Sequence, residues 1–292
     1  MNDWLTEQQP EVLEHYIQQS PAWREHAQAF EDMNAKPLAS VQMFTYNHAP
    51  YIRRAVESVL SQRTDFPFEL VIGEDCSTDG TREIVVDYHR WYPEIVRVVT
   101  SEQNVGMHRN VLRTQEACRG EFVAFCEGDD FWHDPAKLQI QVEFLVQTLG
   151  YGMAHCNYDA YEVARGRLRR RVISSPPSLQ DDRAYVEVLL RRRRIMTLAV
   201  CVRRDLLETV VREQPECTDE RWPMGDTQRW LEICRLTKVK YFPQAMATYN
   251  FLPESACQSR RLLRQSPCLP AGVVDFITFV SGVMTSKSRS LS

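Results

Sequence analysis

Residues 122–132 read Phe-Val-Ala-Phe-Cys-Glu-Gly-Asp-Asp-Phe-Trp, an apolar run that stops abruptly at Glu127, Asp129 and Asp130. Bulky apolar residues between Gly120 and Gly128 fit a central strand of a sheet covered on both faces better than a helix. The carboxylates then fall at the carboxyl end of that strand, where open α/β sheets bind ligands. Carboxylates clustered there repel one another unless something cationic shares the site. Mg²⁺ or Mn²⁺ shared between one or two carboxylates and a substrate's phosphates is the economical solution. The competing reading is an Asp-rich turn, since Asp readily bonds its own backbone after a strand. Other stretches of the first half decide between the two.

Those stretches alternate strand and helix. A strand over 39–45 runs into Tyr46-Asn47-His48-Ala49-Pro50, and Ile52, Val56, Val59 and Leu60 then recur at helical spacing. A second strand over 68–73 ends in Glu74-Asp75-Cys76-Ser77-Thr78-Asp79-Gly80-Thr81, before a helix carrying Ile84, Val85 and Tyr88. A third strand over 95–100 precedes Glu102-Gln103-Asn104-Val105-Gly106 and a helix from about Arg109. This rhythm predicts parallel βαβ units and a doubly wound, mostly parallel central sheet flanked by helices. The Asp75 and Asp129 loops would then open onto one crevice. Neither the glycine-rich dinucleotide fingerprint nor the Walker lysine loop is present, so phosphate needs another grip, which a metal supplies.

The second half is less regular. A helix is expected along Leu138, Val142, Leu145, Val146 and Leu149, with strands over 153–158, 195–202 and 239–242. Gly225-Asp226 should open another helix through Leu231 and Ile233. Arginines concentrate at 165–171 and 191–194, with Pro176-Pro177 between them as a loop. Residues 1–36 suggest two short helices outside the main sheet. The expected divisions are 1–36 as an N-terminal helical extension, 37–150 as a nucleotide-binding half, 151–262 as a second half that completes the site, and 263–292 as a tail.

Composition excludes some classes. At 292 residues and 43% hydrophobic content a large α/β core is within reach, and a net charge of -4 gives no overall pull toward nucleic acid or anionic membrane. Nine cysteines lie scattered, with no CxxC pair, and read as reduced core residues. Residues 1–10 are polar and acidic, unlike a signal peptide, so the chain is expected to be cytoplasmic. The apolar segment 271–284 is too short to span a bilayer and contains Asp275.

Residues 40–145 resemble family 2 glycosyltransferases of the GT-A fold, in particular bacterial members that build surface polysaccharides. The likeness lies in residues 41–47 with Tyr51-Ile52, in the 74–81 loop, in Asn104-Val105-Gly106 with Asn110, and in Glu127-Gly128-Asp129-Asp130-Phe131-Trp132. After residue 150 it survives at Gly225-Asp226 and Thr248-Tyr249-Asn250. The resemblance makes 37–150 the nucleotide-sugar half and 151–262 the acceptor and catalytic half, and implies a UDP-sugar donor and a nucleotide site drawn from Thr45, Asn47, Asp75, Asp79, Asn104, Gly106 and Glu127. It also implies Mn²⁺ or Mg²⁺ on Asp129, with Asp130 as the alternative ligand. The family's DxD element falls on Glu127-Gly128-Asp129, a departure that keeps the charge and adds a methylene. Asp226 matches the base of inverting members; without the resemblance, Asp at a helix start reads as a cap.

The expected reaction moves a sugar onto a hydroxyl of a glycan or lipid-linked acceptor, with inversion. The 165–171 and 191–194 arginines, and the basic segment Arg260, Arg261 and Arg264 before the tail, suggest peripheral contact with the inner face of the plasma membrane. Their plainer reading is a solvated face. His48, His108, His133 and His155 have no metal-ligand spacing, and Trp132 reads as packing. Two other functions compete: a nucleotidyltransferase on sugar phosphates, and a non-catalytic nucleotide- or nucleic-acid-binding protein. The first lacks a glycine-rich Arg/Lys loop after strand one, and balanced charge opposes nucleic acid as a partner.

Overall fold

The computed structural model describes residues 36–173, 195–213 and 226–253. The expected helices in 1–35, the Pro176-Pro177 loop, the arginines 191–194, Gly225 and everything after 253 lie outside the described residues.

The first half is three successive βαβ units, four strands joined by three helices. Strand β1 (Ala39–Thr45) pairs in parallel with β2 (Phe68–Glu74) on one side and β4 (Phe122–Phe125) on the other, and β2 pairs with β3 (Val96–Val99). Helices α1 (Ile52–Leu60), α2 (Thr81–Trp91) and α3 (Met107–Ala117) connect them. Helix α1 forms because Ile52, Ala55, Val56 and Val59 recur on one face, which is buried. Each large aliphatic side chain there contributes about 1.5–3 kcal/mol. Every residue of β2 and β4 is buried, as expected of strands covered on both faces.

Beyond β4 the sheet becomes mixed. Its order is β3-β2-β1-β4, then β8 (Val200–Arg203), β6 (Tyr151–Glu162), β9 (Lys238–Phe251) and β5 (Phe131–Trp132), with β7 (Arg167–Arg169) paired to β6. Strand β8 is antiparallel to both β4 and β6, while β6 runs parallel to β9. Helices α4 (Lys137–Gln147), α5 (Arg204–Glu213) and α6 (Asp226–Leu236) pack on it. The expected mostly parallel, doubly wound α/β sheet is present, with antiparallel insertions where the pattern had become irregular.

Three local expectations need correction. The apolar run through Trp132 is two strands, because Phe131–Trp132 turns away as β5 to pair with β9. The strand expected over 195–202 begins only at Val200. Residues Thr197–Ala199 form a 3₁₀ turn whose following carbonyls are taken by side chains, with Trp132 Nε1 donating to Leu198 O and Gln141 Nε2 to Ala199 O. Strand β9 outlasts its apolar segment and passes Pro243 across register shifts opposite Cys156 and Asn157. The six described cysteines are free, and five are buried.

Candidate functional site

The carboxyl ends of β1, β2 and β4 and the start of α6 surround a cavity of about 590 Å³. Gly128 lets this convergence happen: a Cβ there would stand 2.6 Å from Thr45 Oγ1 and 3.0 Å from His48 Nδ1. The β4 loop therefore packs directly on the β1 loop, and Glu127 and Asp129 both reach the cavity.

The loops that follow β1, β2 and β3 are cross-braced. Asp75 is buried, and its carboxylate accepts the amides of Val105 at 2.8 Å and Gly106 at 3.0 Å, with Arg113 Nη2 3.5 Å away. Asn104 Nδ2 donates to the Asp75 carbonyl, and its Oδ1 accepts the Gly106 amide. Gly106 has φ +87°, a conformation that favours glycine, and its amide rather than a side chain serves this brace. Asn47, at φ +55°, ties the β1 loop to the β2 loop by donating its amide to Ser77 Oγ and accepting from Thr78 N. Thr45 Oγ1 lies 3.2 Å from His48 Nδ1. Thr45, Asn47, Asp75 and Asn104 all line the cavity.

Asp79 lies apart from that lining. Its Oδ2 accepts the Ala49 amide and its Oδ1 the Thr81 amide and hydroxyl. Burial pushes its pKa up, but hydrogen bonds from Thr81 and Ala49 outweigh this and hold it below the usual carboxylate range. It latches two loops together.

The opposite wall carries carboxylates in a different condition. Glu127 is half-buried as a residue, but its Oε2 is fully enclosed, with no hydrogen-bond partner among the described residues. Burial, then the nearby charges of Asp129 and Asp226, raise its pKa to about 8. Asp129 lines the cavity with Oδ2 4.0 Å from His48 Nε2. Asp130 is buried, and its Oδ1 accepts the Asn250 amide at 2.7 Å, so this carboxylate anchors β9. Asp226 opens α6 and faces the cavity, its Oδ2 3.3 Å from Thr197 Oγ1.

Among the described residues no three His, Cys, Asp or Glu side chains gather into a metal cluster. A single carboxylate completed by a ligand's phosphates needs no such cluster. Asp129 lines the cavity beside Glu127, whose orphaned oxygen and raised pKa fit a cation placed against this wall together with a ligand's phosphates.

Several cavity residues escaped sequence reasoning. His48 and His108, whose spacing suggested no ligand role, both line it, as do Thr197, Arg229, Trp230 and Tyr249. The Trp230 ring packs edge-on against Phe125 at 5.3 Å, joining α6 to β4. Only His48 and Tyr249 carried a signal, by standing inside or beside motif residues. Trp132 is packing, as expected.

The model of the family described as Glycosyl transferase family 2 matches residues 40–204, more than half of the chain. The putative teichuronic acid biosynthesis glycosyltransferase TuaG of Bacillus subtilis is 40% identical over 114 residues, covering 39% of this chain and 44% of that one. Matches span only 31% to 44% of the length of the first curated relatives. Staphylococcus aureus TarS in complex with UDP superposes with TM-score 0.55 and 21% identity, over 74% of this chain and 61% of that one. A mannosyltransferase from Pyrobaculum calidifontis, in complex with GDP-Man and Mn²⁺, superposes with TM-score 0.56 and 19% identity, over 83% and 67%. These two likenesses establish a GT-A fold.

Proposed function

Because the chain belongs to glycosyltransferase family 2, we propose that it moves a sugar from a UDP-sugar to a hydroxyl of a glycan or lipid-linked acceptor, with inversion, in surface-polysaccharide synthesis. The observation that carries this reading is the convergence of Asp75, Glu127, Asp129 and Asp226 on one cavity, with Glu127 left unsatisfied. The relative TuaG, named for teichuronic acid synthesis, and TarS, solved with UDP and with UDP-GlcNAc, support the polymer and the nucleotide.

Each wall has a task. Lone pairs of the Asp75 carboxylate not used by Val105 and Gly106 accept from the base or ribose, within the frame set by Thr45, Asn47 and Asn104. Asp129 would hold Mn²⁺ or Mg²⁺, with Glu127 beside it and Asp130 committed to Asn250. When bound, that ion neutralises charge on the departing diphosphate. Asp226 accepts the proton of the acceptor hydroxyl as its oxygen bonds to the anomeric carbon and the bond to the diphosphate oxygen breaks.

A membrane-facing side fits the same picture. Arg165, Arg167, Arg169 and Arg170 are exposed on the hairpin that ends in β7. Ala160 of β6 pairs with both Arg169 and Tyr249, so this hairpin stands one strand from the cavity wall. Salt-sensitive flotation with anionic vesicles is expected, placing the enzyme at the inner face of the plasma membrane; flotation indifferent to salt and lipid charge would remove that contact. No described helix is long and apolar enough to cross a membrane.

The donor assignment is tested by thermal shift with UDP, GDP, CDP and dTDP, each with Mn²⁺, Mg²⁺ or chelator. UDP should stabilise only with metal, and Asp129→Ala should lose the effect. Equal shifts by all four nucleotides, or shifts indifferent to metal, would oppose it.

A further inference from the structure

Lys137 on α4 is fully buried, an expensive place for an ammonium when a methionine would fill the same space. Its contacts account for the choice. Its Nζ stands 3.9 Å from the centroid of the Trp132 ring and donates to Gln141 Oε1 at 2.8 Å. With its oxygen held by the cation, the Gln141 amide turns its Nε2 outward, to donate to Ala199 O at 2.8 Å. From the other side, Trp132 Nε1 donates to Leu198 O at 3.0 Å. Two carbonyls of the Thr197–Ala199 turn are thus gripped by two side chains that both lie against one buried ammonium. Thr197, at the head of that turn, reaches Asp226 in the cavity.

We infer that Lys137, Trp132 and Gln141 are positioning residues for catalysis: they fix the Thr197–Ala199 turn so that the Thr197 hydroxyl holds the Asp226 carboxylate toward the acceptor. This rests on the proposal that Asp226 is the base. None of the three touches the cavity. Their influence runs through the turn, whose Leu198 and Ala199 carbonyls Trp132 and Gln141 hold. A buried polar network of this kind is either complete or costly, which makes its members interdependent.

The test uses the full chain and two readouts. The first is hydrogen exchange of the peptide covering residues 195–203, in which the Ala199 amide donates to Met196 O and the β8 amides serve as internal reference. Lys137→Met, which keeps the stem and removes the donor, should raise exchange in the turn about 10-fold over β8. Trp132→Phe keeps the ring face and removes the indole donor, so it should act the same way if Lys137→Met fails to fold. The second readout is turnover of UDP-GlcNAc, or of whichever nucleotide sugar most stabilises the chain. Lys137→Met and Thr197→Val should each lower kcat on the order of 10-fold, with donor KM within about twofold. The double variant should be no worse than either alone.

Unchanged exchange in both Lys137→Met and Trp132→Phe would overturn the inference, as would single effects that multiply in the double variant. Asp226→Asn separates the two levels. Wild-type turnover in that variant would remove the base assignment, while the exchange result would still judge whether the network holds the turn.

Discussion

One glutamate closes β2 and another follows β4, the buried Glu74 and the half-buried Glu127, and the two side chains live in opposite circumstances. Glu74 accepts the Ser77 amide, Arg82 Nε at 2.7 Å and Thr100 Oγ1. Burial pushes its pKa up, but these partners prevail and hold it below the usual carboxylate range. Glu69 shows the same pattern, with Ser40, Arg97 and Arg119 overcoming burial. Glu127 has two acidic neighbours and an orphaned oxygen, and rises to about 8. The carboxylates of β2 hold loops in place. After β4 the orphaned Glu127 oxygen is left without a partner among the described residues, the kind of perturbed group that marks a candidate site.

The contrast predicts which acids govern chemistry and which govern folding. The largest effect belongs to Asp226→Asn, expected to lower turnover by about 10²- to 10⁴-fold while leaving metal-dependent stabilisation by UDP in place. Turnover near wild type would move the base elsewhere. On the braced side, Asp79→Ala should cost about 1 kcal/mol in urea unfolding through the lost loop latch, with UDP affinity within a few-fold of wild type by calorimetry. A loss of UDP affinity far beyond the stability change would return Asp79 to the nucleotide site.

Much of this contrast was legible in the sequence, for identifiable reasons. Asp75 and Asp129 follow uninterrupted apolar strands of parallel units, so their arrival at one crevice could be read from strand direction alone. The loop-to-loop bonds could not: Asp79 looks like a site residue in the motif, and only the three groups it accepts from reveal a latch. Thr197 and Trp230 were hidden because they approach β4 from beside β8 and from α6, where the antiparallel β8 breaks the βαβ rhythm. Ile195-Met196-Thr197-Leu198-Ala199 has the apolar character of a strand, and becomes a turn because Trp132 and Gln141 take its carbonyls. The basic stretch at 165–171 was visible, but its place one strand from Tyr249 follows from a β6–β9 pairing that no local pattern announces.

The most direct measurement is urea unfolding of wild type, Glu74→Gln and Glu127→Gln, without ligand, at pH 6 and pH 8. Glu74→Gln should lose about 1.5–3 kcal/mol at both, since it weakens the charge-assisted hydrogen bond from the partly exposed Arg82 to a buried carboxylate. Glu127 has a folded pKa above its unfolded value, so its contribution is fully present below about pH 4.5 and is lost as pH rises toward about 8. Glu127→Gln should therefore equal or exceed wild type, by more at pH 8 than at pH 6. A Glu127→Gln variant destabilised like Glu74→Gln, with no dependence on pH, would show that Glu127 is satisfied after all and contradict the division of the molecule into a braced half and a starved one.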